Sequence, residues 1–566
     1  MSRIFVYYEI DVPICTHACG QGECGANPPV GLECYNTPAT CSCLACFAKA
    51  YRTYKFCVDQ AGIPPELDLL PLIEQEKDQK FTPAKAEIGI GSRATVTLTL
   101  ADMEYPDDDD PYIATRLTPA CGSLLGRFRA RHKYLPNQPL RRISGEITDP
   151  FSLENFTTQH FIITDMSVSN KDGCMTIKAA DILTLTNDEK TQIPPPTKAQ
   201  LINDLTETEV NGFTMSGDVS EYPADYGYIA FGSEIIGYEY QTDGNFVYLT
   251  RGIGGSKVAQ HSANSTGQNT WRINRVHVIE FIRTVLLQCK NITTENIPFT
   301  EWQEEADRWL TDNIVDTYLY KPQSARKLLT TICEENGVFL WTDPQTNTIK
   351  LKAFAPEPNA CTKLILQTDI IDGDVQIKHL DRLRINHIDW CYDPINVTKK
   401  IERENCRRFD YMDDAEAQHE LQYGDERNHS INSAFVPGDN PYQLETTAAR
   451  MLRQRRDAPV EAVFKITYEN EMAISDVFIL EVDSIQFADG SLGEIRMIVT
   501  SVEDVGDGSL EITAISSGFA SNPAFWGPDD AAEDYSTATE EQKASYAFWG
   551  DDYQDFPDGR KRYSWV

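Results

Sequence analysis

The sequence predicts a multidomain, mainly β chain with an α+β unit, a cysteine-rich N-terminal segment, a small inserted β module and an extended C-terminal arm. Three observations predict it. Short stretches of period-two alternation recur in both halves of the chain. Helical periodicity is concentrated between Val276 and Glu335 and returns around Gln443 to Arg455. The length of 566 residues exceeds what a single hydrophobic core organises. The expected units are residues 1–62 (cysteine-rich), 63–196 (β-rich), 197–272 (inserted β module), 273–360 (α+β), 361–520 (β-rich) and 521–566 (arm).

The first unit holds Cys15, Cys19, Cys24, Cys34, Cys41, Cys43, Cys46 and Cys57, eight of the fifteen cysteines in the chain. A stretch so rich in Gly, Pro and Cys buries too little apolar surface to order itself, so it needs a cross-link, either disulfides or a metal. MSRIFVYYEIDVP carries one basic residue, two acidic ones and no apolar core of secretory length. Folding in a reducing cytosol is therefore expected, which favours metal over disulfide. Eight residues separate Cys15 from Cys24, nine separate Cys24 from Cys34 and six separate Cys34 from Cys41. These gaps are wider than the close pairs of most zinc sites and suit an iron–sulfur cluster at least as well. Cys41, Cys43 and Cys46 form a C-x-C-x-x-C run, so spacing alone leaves the ligand set ambiguous and keeps later disulfides and free thiols open.

An apolar, Pro-punctuated link from Ile63 to Leu72 leads to ATVTLTL (Ala94 to Leu100), which alternates as a strand with one buried face. Further strands are expected at Leu140 to Ile147, His160 to Val168 and Cys174 to Asp181. The run Asp107 to Asp110 reads as a solvated loop, because four adjacent carboxylates are poorly placed to converge on one ion. The basic cluster GRFRARHKY (Gly126 to Tyr134) alternates charge with aromatics. It reads as a strand whose Arg heads meet the chain's own carboxylates, or as a contact for an acidic partner face. Pro194 to Pro196 break the pattern.

Short strands and Gly turns fill Lys198 to Asn269, with Asp243 to Asn245 as a hairpin turn. Val278, Phe281, Ile282, Val285 and Leu286 then share one helical face. A second helix is expected over Glu301 to Asn313 with Trp302, Ala306, Trp309 and Leu310 inward, and a third over Ser324 to Glu335. A hairpin turning at Pro344 to Asn347 follows. Strands dominate from Cys361 to Ser516. The end carries AFWG at Ala524 to Gly527 and again at Ala547 to Gly550, each followed by acidic residues, the mark of an arm that docks on a neighbour.

With 86 acidic against 51 basic residues the net charge is −35, which argues against specific nucleic-acid binding. No apolar run reaches the roughly 18 residues of a membrane span. HExxH, GxSxG and Walker patterns are absent, and the nine His are scattered. GIGSRA (Gly89 to Ala94) fits GxGxxA in form but runs into a strand, so it reads as a turn. SARK (Ser324 to Lys327) opens an amphipathic helix, where Ser324 is an N-cap and not a nucleophile. No catalytic residue is nominated, and the chain is read as a non-enzyme.

Four passages, in their order along the chain, together resemble the baseplate hub or tail-tip proteins of siphophage-like tails and of gene transfer agents. They are ECYNTPATC (Glu33 to Cys41), GSLLGRFRARHKYLPNQPLRRISGEI (Gly122 to Ile147), EYPADYGYIAFGSEIIGYEY with YLTRGIGGSKVAQH (Glu221 to His261), and NPAFWGPDDAAEDYSTATEEQKASYAFWGDD near the end. The resemblance implies a phage tail hub of β barrels plus an α+β domain, like that of contractile-tail baseplates. It implies a homotrimer between the distal tail protein ring and the central tip fibre protein, with the tape-measure protein as a further neighbour. The location implied is the virion, at the distal end of the tail, after assembly in the host cytoplasm, with a role in closing the tail and opening it for DNA passage. It also implies an iron–sulfur cluster of 4Fe–4S type on Cys15, Cys24, Cys34 and Cys41, with zinc as the alternative. Cys19, Cys43, Cys46 and Cys57 depart from that pattern. The alternative function is a tail-associated enzyme or a glycan-binding module acting on the host envelope, the latter through exposed aromatics of residues 198–269.

Overall fold

Alternating apolar residues close the first unit into a barrel. Strands Ile4–Cys15, Lys49–Val58, Leu70–Lys80, Thr95–Ala101, Cys174–Ala180, Phe156–Ser169 and Pro139–Glu146 pair in that order into a closed seven-stranded barrel. Every pairing is antiparallel except that of Lys49–Val58 with Leu70–Lys80. Tyr8, Ile10, Val12, Val96, Leu98, Leu100, Ile163 and Ile177 fill it. Closure leaves the barrel no free sheet edge. In this computed structural model the described residues are 4–26, 34–58, 63–80, 89–91, 95–104, 107–108, 110–116, 122–147, 151–154, 156–169, 174–187, 191–355, 363–467, 472–487, 489–505, 509–517 and 539. The barrel takes strands from both sides of residue 62, and the cysteine segment is the loop between its first two strands.

The expected strand at Gly126 to Tyr134 is instead helix Leu124–Arg131. Leu124, Leu125 and Phe128 fall on one helical face and pack into the barrel core. Ser123 caps the helix, its hydroxyl accepting the Gly126 N–H at 3.3 Å.

The inserted module and the α+β unit share one sheet. Its order is Gln200–Leu201, Gly212–Ser216, Asn245–Thr250, Glu234–Thr242, Asp225–Phe231, Gln268–His277, Ile314–Leu319. Phe213, Phe231, Tyr238 and Phe246 build a separate core for the module. The expected hairpin turn forms at Asp243 and Gly244, with φ of 50° and 82°, the double positive φ that matches strand twist. Gln268–His277 pairs with Asp225–Phe231 near its start and with Ile314–Leu319 further on, then runs into helix Val278–Leu287.

That helix, Phe299–Trp309 and Ala325–Asn336 pack with the hairpin of Val338–Asp343 and Thr348–Ala353 around an extensive apolar core. Trp302, 1% exposed, donates its indole N–H to the Ile349 carbonyl at 3.0 Å. Trp309, expected inward, is half-buried, with the Arg450 guanidinium 5.3 Å from its ring. Ser324 caps its helix as expected, accepting the Lys327 N–H at 3.3 Å. Gly89–Ile90, expected as part of a turn, pairs in parallel with Phe339 and Leu340; residues 92–94 lie outside the described residues.

Beyond residue 363, Leu364–Leu366, Val477–Gln486, Leu492–Asp504, Ser509–Ser516, Val460–Thr467 and Ile370–His379 form a six-stranded sheet. Cys406–Asp413, His387–Pro394 and Asn428–Asn432 form a three-stranded one. Helix Tyr442–Arg455 packs against the latter through Leu444, Ala448 and Met451. The architecture is thus mainly β with an α+β unit. The expected arm, residues 521–566, lies outside the described residues apart from Thr539. No helix among the described residues is long and apolar enough to cross a membrane.

Candidate functional site

The cysteine segment leaves the barrel at Cys15 and returns at Lys49, two residues paired across adjacent strands. The loop is tied down where it starts: the Cys15 N–H donates to the Asn36 carbonyl at 2.7 Å and the Thr16 N–H to the Ala48 carbonyl at 3.0 Å. Its middle is held by one aromatic ring. The Arg116 guanidinium lies 4.0 Å from the centroid of Tyr35 and that of Arg131 lies 4.1 Å from it. Each cation is fixed by its own carboxylate. Arg131 donates to both oxygens of Asp107 at 2.7 and 2.6 Å, and Arg116 pairs with Asp110. Arg116 also donates to the Cys34 carbonyl at 2.9 Å. The Tyr112 hydroxyl accepts the Cys19 N–H at 2.8 Å and donates to Asn36 Oδ1 at 2.8 Å.

Asp107 and Asp110, the two ends of the acidic run expected as a solvated loop, are therefore part of this clamp. Asp107 is 4% exposed and Asp110 3%. Their desolvation is offset because each meets a guanidinium in bonded geometry. Hydrogen bonds from Arg131 hold the Asp107 carboxyl below the ordinary carboxylate range. His132, next to Arg131, is driven by burial, and secondarily by Arg131 and Arg52, down to about 4, so it is neutral at physiological pH.

Among the thiols, Cys34 is buried and faces Cys19, with Cys24 close by. Its sulfur accepts the Asn36 N–H at 3.4 Å. Burial first, then Cys19 and Cys24, push the Cys34 thiol up to about 11 against the opposing Asn36 hydrogen bond. Cys24 Sγ accepts the Gly20 N–H at 3.4 Å. Cys15 is buried at the barrel rim and Cys41 is half-buried in the loop. Cys43 and Cys46 are joined as a disulfide. Of the four expected ligands, then, Cys24 and Cys34 share a neighbourhood with Cys19, a residue outside the expected set. Among the described residues no three Cys, His, Asp or Glu side chains stand close enough together to hold a metal ion. The donor chemistry fits a thiophilic metal, and the spacing of the thiols does not form a ready cage.

A second lock lies in the inserted module. Glu234, 1% exposed, accepts from Arg251 at 2.7 and 2.9 Å, from His261 at 2.8 Å and from the Ala259 N–H at 3.0 Å. Burial alone would raise this carboxyl, but bonds from His261, Arg251 and Ala259 hold it down to about 2. Arg251 also donates to the Thr206, Glu209 and Ala259 carbonyls. Sequence reading nominated none of Tyr35, Tyr112, Arg116, Glu234 or Arg251 as a site residue. The available signal was that Tyr35, Glu234 and Arg251 fall inside the passages that carry the resemblance.

No protein-family model matches the chain, and no curated protein matches it. Solved structures similar to it include phage tail and baseplate proteins and a type VI secretion system component of E. coli. The 43 kDa tail protein of prophage MuSo2 from Shewanella oneidensis is 9% identical, with a TM-score of 0.34 over 78% of this chain and 93% of that one. A tail protein from Neisseria meningitidis is 9% identical, with a TM-score of 0.33 over 75% and 89% of the two chains. A chain of the p2 virion baseplate in its activated conformation is 8% identical, with a TM-score of 0.27 over 90% and 99%. At these scores no functional statement rests on the likeness.

Proposed function

We propose that this chain is a structural protein of a phage-like tail, the baseplate hub of a long non-contractile tail, which joins the distal ring to the central tip fibre and gates DNA passage as a homotrimer. One observation carries the reading: both polar locks of the fold take residues from the passages behind the resemblance. Tyr35 lies in the first passage, Arg131 in the second, and Glu234, Arg251 and His261 in the third. Each sits in one of the two polar locks, where carboxylates and guanidiniums satisfy one another. Groups committed to such pairs hold loops in place, which suits a scaffold better than a reaction. The acidic balance, with a net charge of −35, supports a wall that DNA passes without sticking.

Immunogold labelling of purified particles with an antibody raised against residues 198–269 tests this. Label at the distal tail end is expected. Unlabelled particles beside abundant soluble protein would overturn it.

An iron–sulfur cluster on Cys15, Cys24, Cys34 and Cys41, with zinc as the alternative, is part of the proposal. Bound there, it would staple the loop, its binding energy becoming order in a segment poor in apolar residues. What supports it is the nearness of Cys24 to Cys34, two of these four thiols. Cys34→Ser is expected to lower iron and acid-labile sulfide content together with solubility. Wild-type iron in that variant would remove Cys34 from the ligand set.

A further inference from the structure

The inserted module displays three tyrosines that its own packing does not use. Tyr226, Tyr240 and Tyr248 lie on three adjacent strands and are 69%, 45% and 62% exposed. Their ring centroids are 6.0 Å apart from Tyr226 to Tyr240, tilted by 49°, and 6.3 Å from Tyr240 to Tyr248, edge to face at 77°, so the rings form one contiguous but angled aromatic patch. Tyr222 and Tyr238 of the same module behave differently. Both are buried at 3% exposure, and their hydroxyls donate to the Gly267 and Pro223 carbonyls. The exposed cluster is also held against backbone preference. Tyr226 has φ of 50° and Tyr248 has φ of 56°, left-handed conformations that bulky L residues rarely adopt. Strain of this kind concentrates where a surface serves a ligand.

We propose that Tyr226, Tyr240 and Tyr248 form a platform that binds a neutral saccharide. Tyrosine faces are electron-rich and receive the C–H face of a pyranose, while the phenols can both donate to and accept from its hydroxyls. Asp225 and Glu239 are exposed beside Tyr240 and add acceptors for hydroxyl donors. Asp225 and Glu239 also act on the Tyr240 phenol, raising it after the larger effect of its hydrogen bond with Tyr226. The same carboxylates repel glycans bearing uronate, phosphate or sulfate, which selects for uncharged sugars. A basic peptide would satisfy the carboxylates but leave the angled ring patch without a rigid ring of matching shape. The inference stands on the module alone and does not depend on where the protein sits in a particle.

The test is binding of the full-length chain to an array of neutral and acidic bacterial oligosaccharides, with immobilised polylysine as a control. Signal on neutral saccharides is expected, falling about tenfold or more in Tyr240→Ala. Tyr226→Gly and Tyr248→Gly release the left-handed strain, so they should keep or raise the melting temperature while losing the signal. That combination separates a lost platform from a lost fold. No signal on any neutral saccharide, undiminished signal in the folded variants, or signal confined to acidic saccharides or polylysine would each overturn the proposal.

Discussion

Tyr35 holds its place because two cations press on its faces, and each cation stays because a buried carboxylate fixes it. Removing the ring takes from both guanidiniums their nearest aromatic face and from the cysteine loop its central anchor. Tyr35→Ala is expected to cost about 2–4 kcal/mol, seen in chemical denaturation, and to open the loop to proteolysis; Tyr35→Phe should cost little. An equal loss in the Phe variant would mean that the hydroxyl, not the stacked face, does the holding. Glu335 offers a test by pH. It is buried on helix Ala325–Asn336, accepts a hydrogen bond from the Ser433 hydroxyl, and burial pushes its carboxyl up to about 8. A folded value above the ordinary one means the protonated form belongs to the fold. Its contribution is complete below the usual carboxylate range and is lost as pH rises through about 8. Glu335→Gln keeps the shape and removes the titration. Its stability advantage should grow between about pH 5 and pH 8, on the order of 1–3 kcal/mol. A pH-independent difference in denaturation midpoint would refute this.

At the scale of elements, the turn Gly252 to Gly255 of the inserted module packs against Ile395 to Val397 of the later β-rich unit. The Val397 N–H donates to the Gly254 carbonyl at 3.0 Å, and a Cβ on Gly255, whose φ is 72°, would lie 2.0 Å from the Ile395 carbonyl oxygen. Gly255→Ala must push the two segments apart and should cost about 2–4 kcal/mol with faster cleavage near residue 255. Gly232 shares the positive φ, at 61°, but a Cβ there meets nothing within 4 Å, so Gly232→Ala should cost about 1 kcal/mol. Similar losses in both would show that backbone strain, not the close approach, sets the cost. Elements with a clean period were legible in the sequence: Thr95–Ala101 from its alternation, and Val278–Leu287 and Tyr442–Arg455 from their apolar faces. Helix Leu124–Arg131 was not, because Arg-Phe-Arg-Ala-Arg alternates like a strand and its decisive Leu124 and Leu125 precede the basic cluster. The buried state of Asp107 and Asp110 was not legible either, since burial depends on Arg131 and Arg116, cations that only the fold brings to them.

Across the whole molecule, class was legible and connectivity was not. Periods report which residues face a core, but not that Lys49–Val58 pairs in parallel with Leu70–Lys80 or that Gly89–Ile90 reaches Val338–Asp343. Such pairings join distant residues and leave no local pattern. The cysteine loop was half legible: its thiols were visible, and the ring and ion pairs that order it were not. The acidic, aromatic C-terminal residues bear a prediction at this scale. Deleting residues 521–566 should leave the melting temperature of the soluble protein within a few degrees of wild type while reducing its incorporation into particles, read by quantitative immunoblot of purified tails. A truncated protein that unfolds would assign those residues to the fold and not to assembly.

Gln268–His277 has a mechanical consequence. One end of this strand is bonded to the sheet that carries the tyrosines, the other to Ile314–Leu319 with a bulge between Ile273 and Val276, and the chain then enters a helix of the α+β core. A pull on the module directed along this strand would load its flanking backbone hydrogen bonds together, in shear, and not one after another as in peeling. Tension from a tethered surface would therefore reach the α+β core through a hydrogen-bonded strand, and the module would act as a handle and not as a bead on a string.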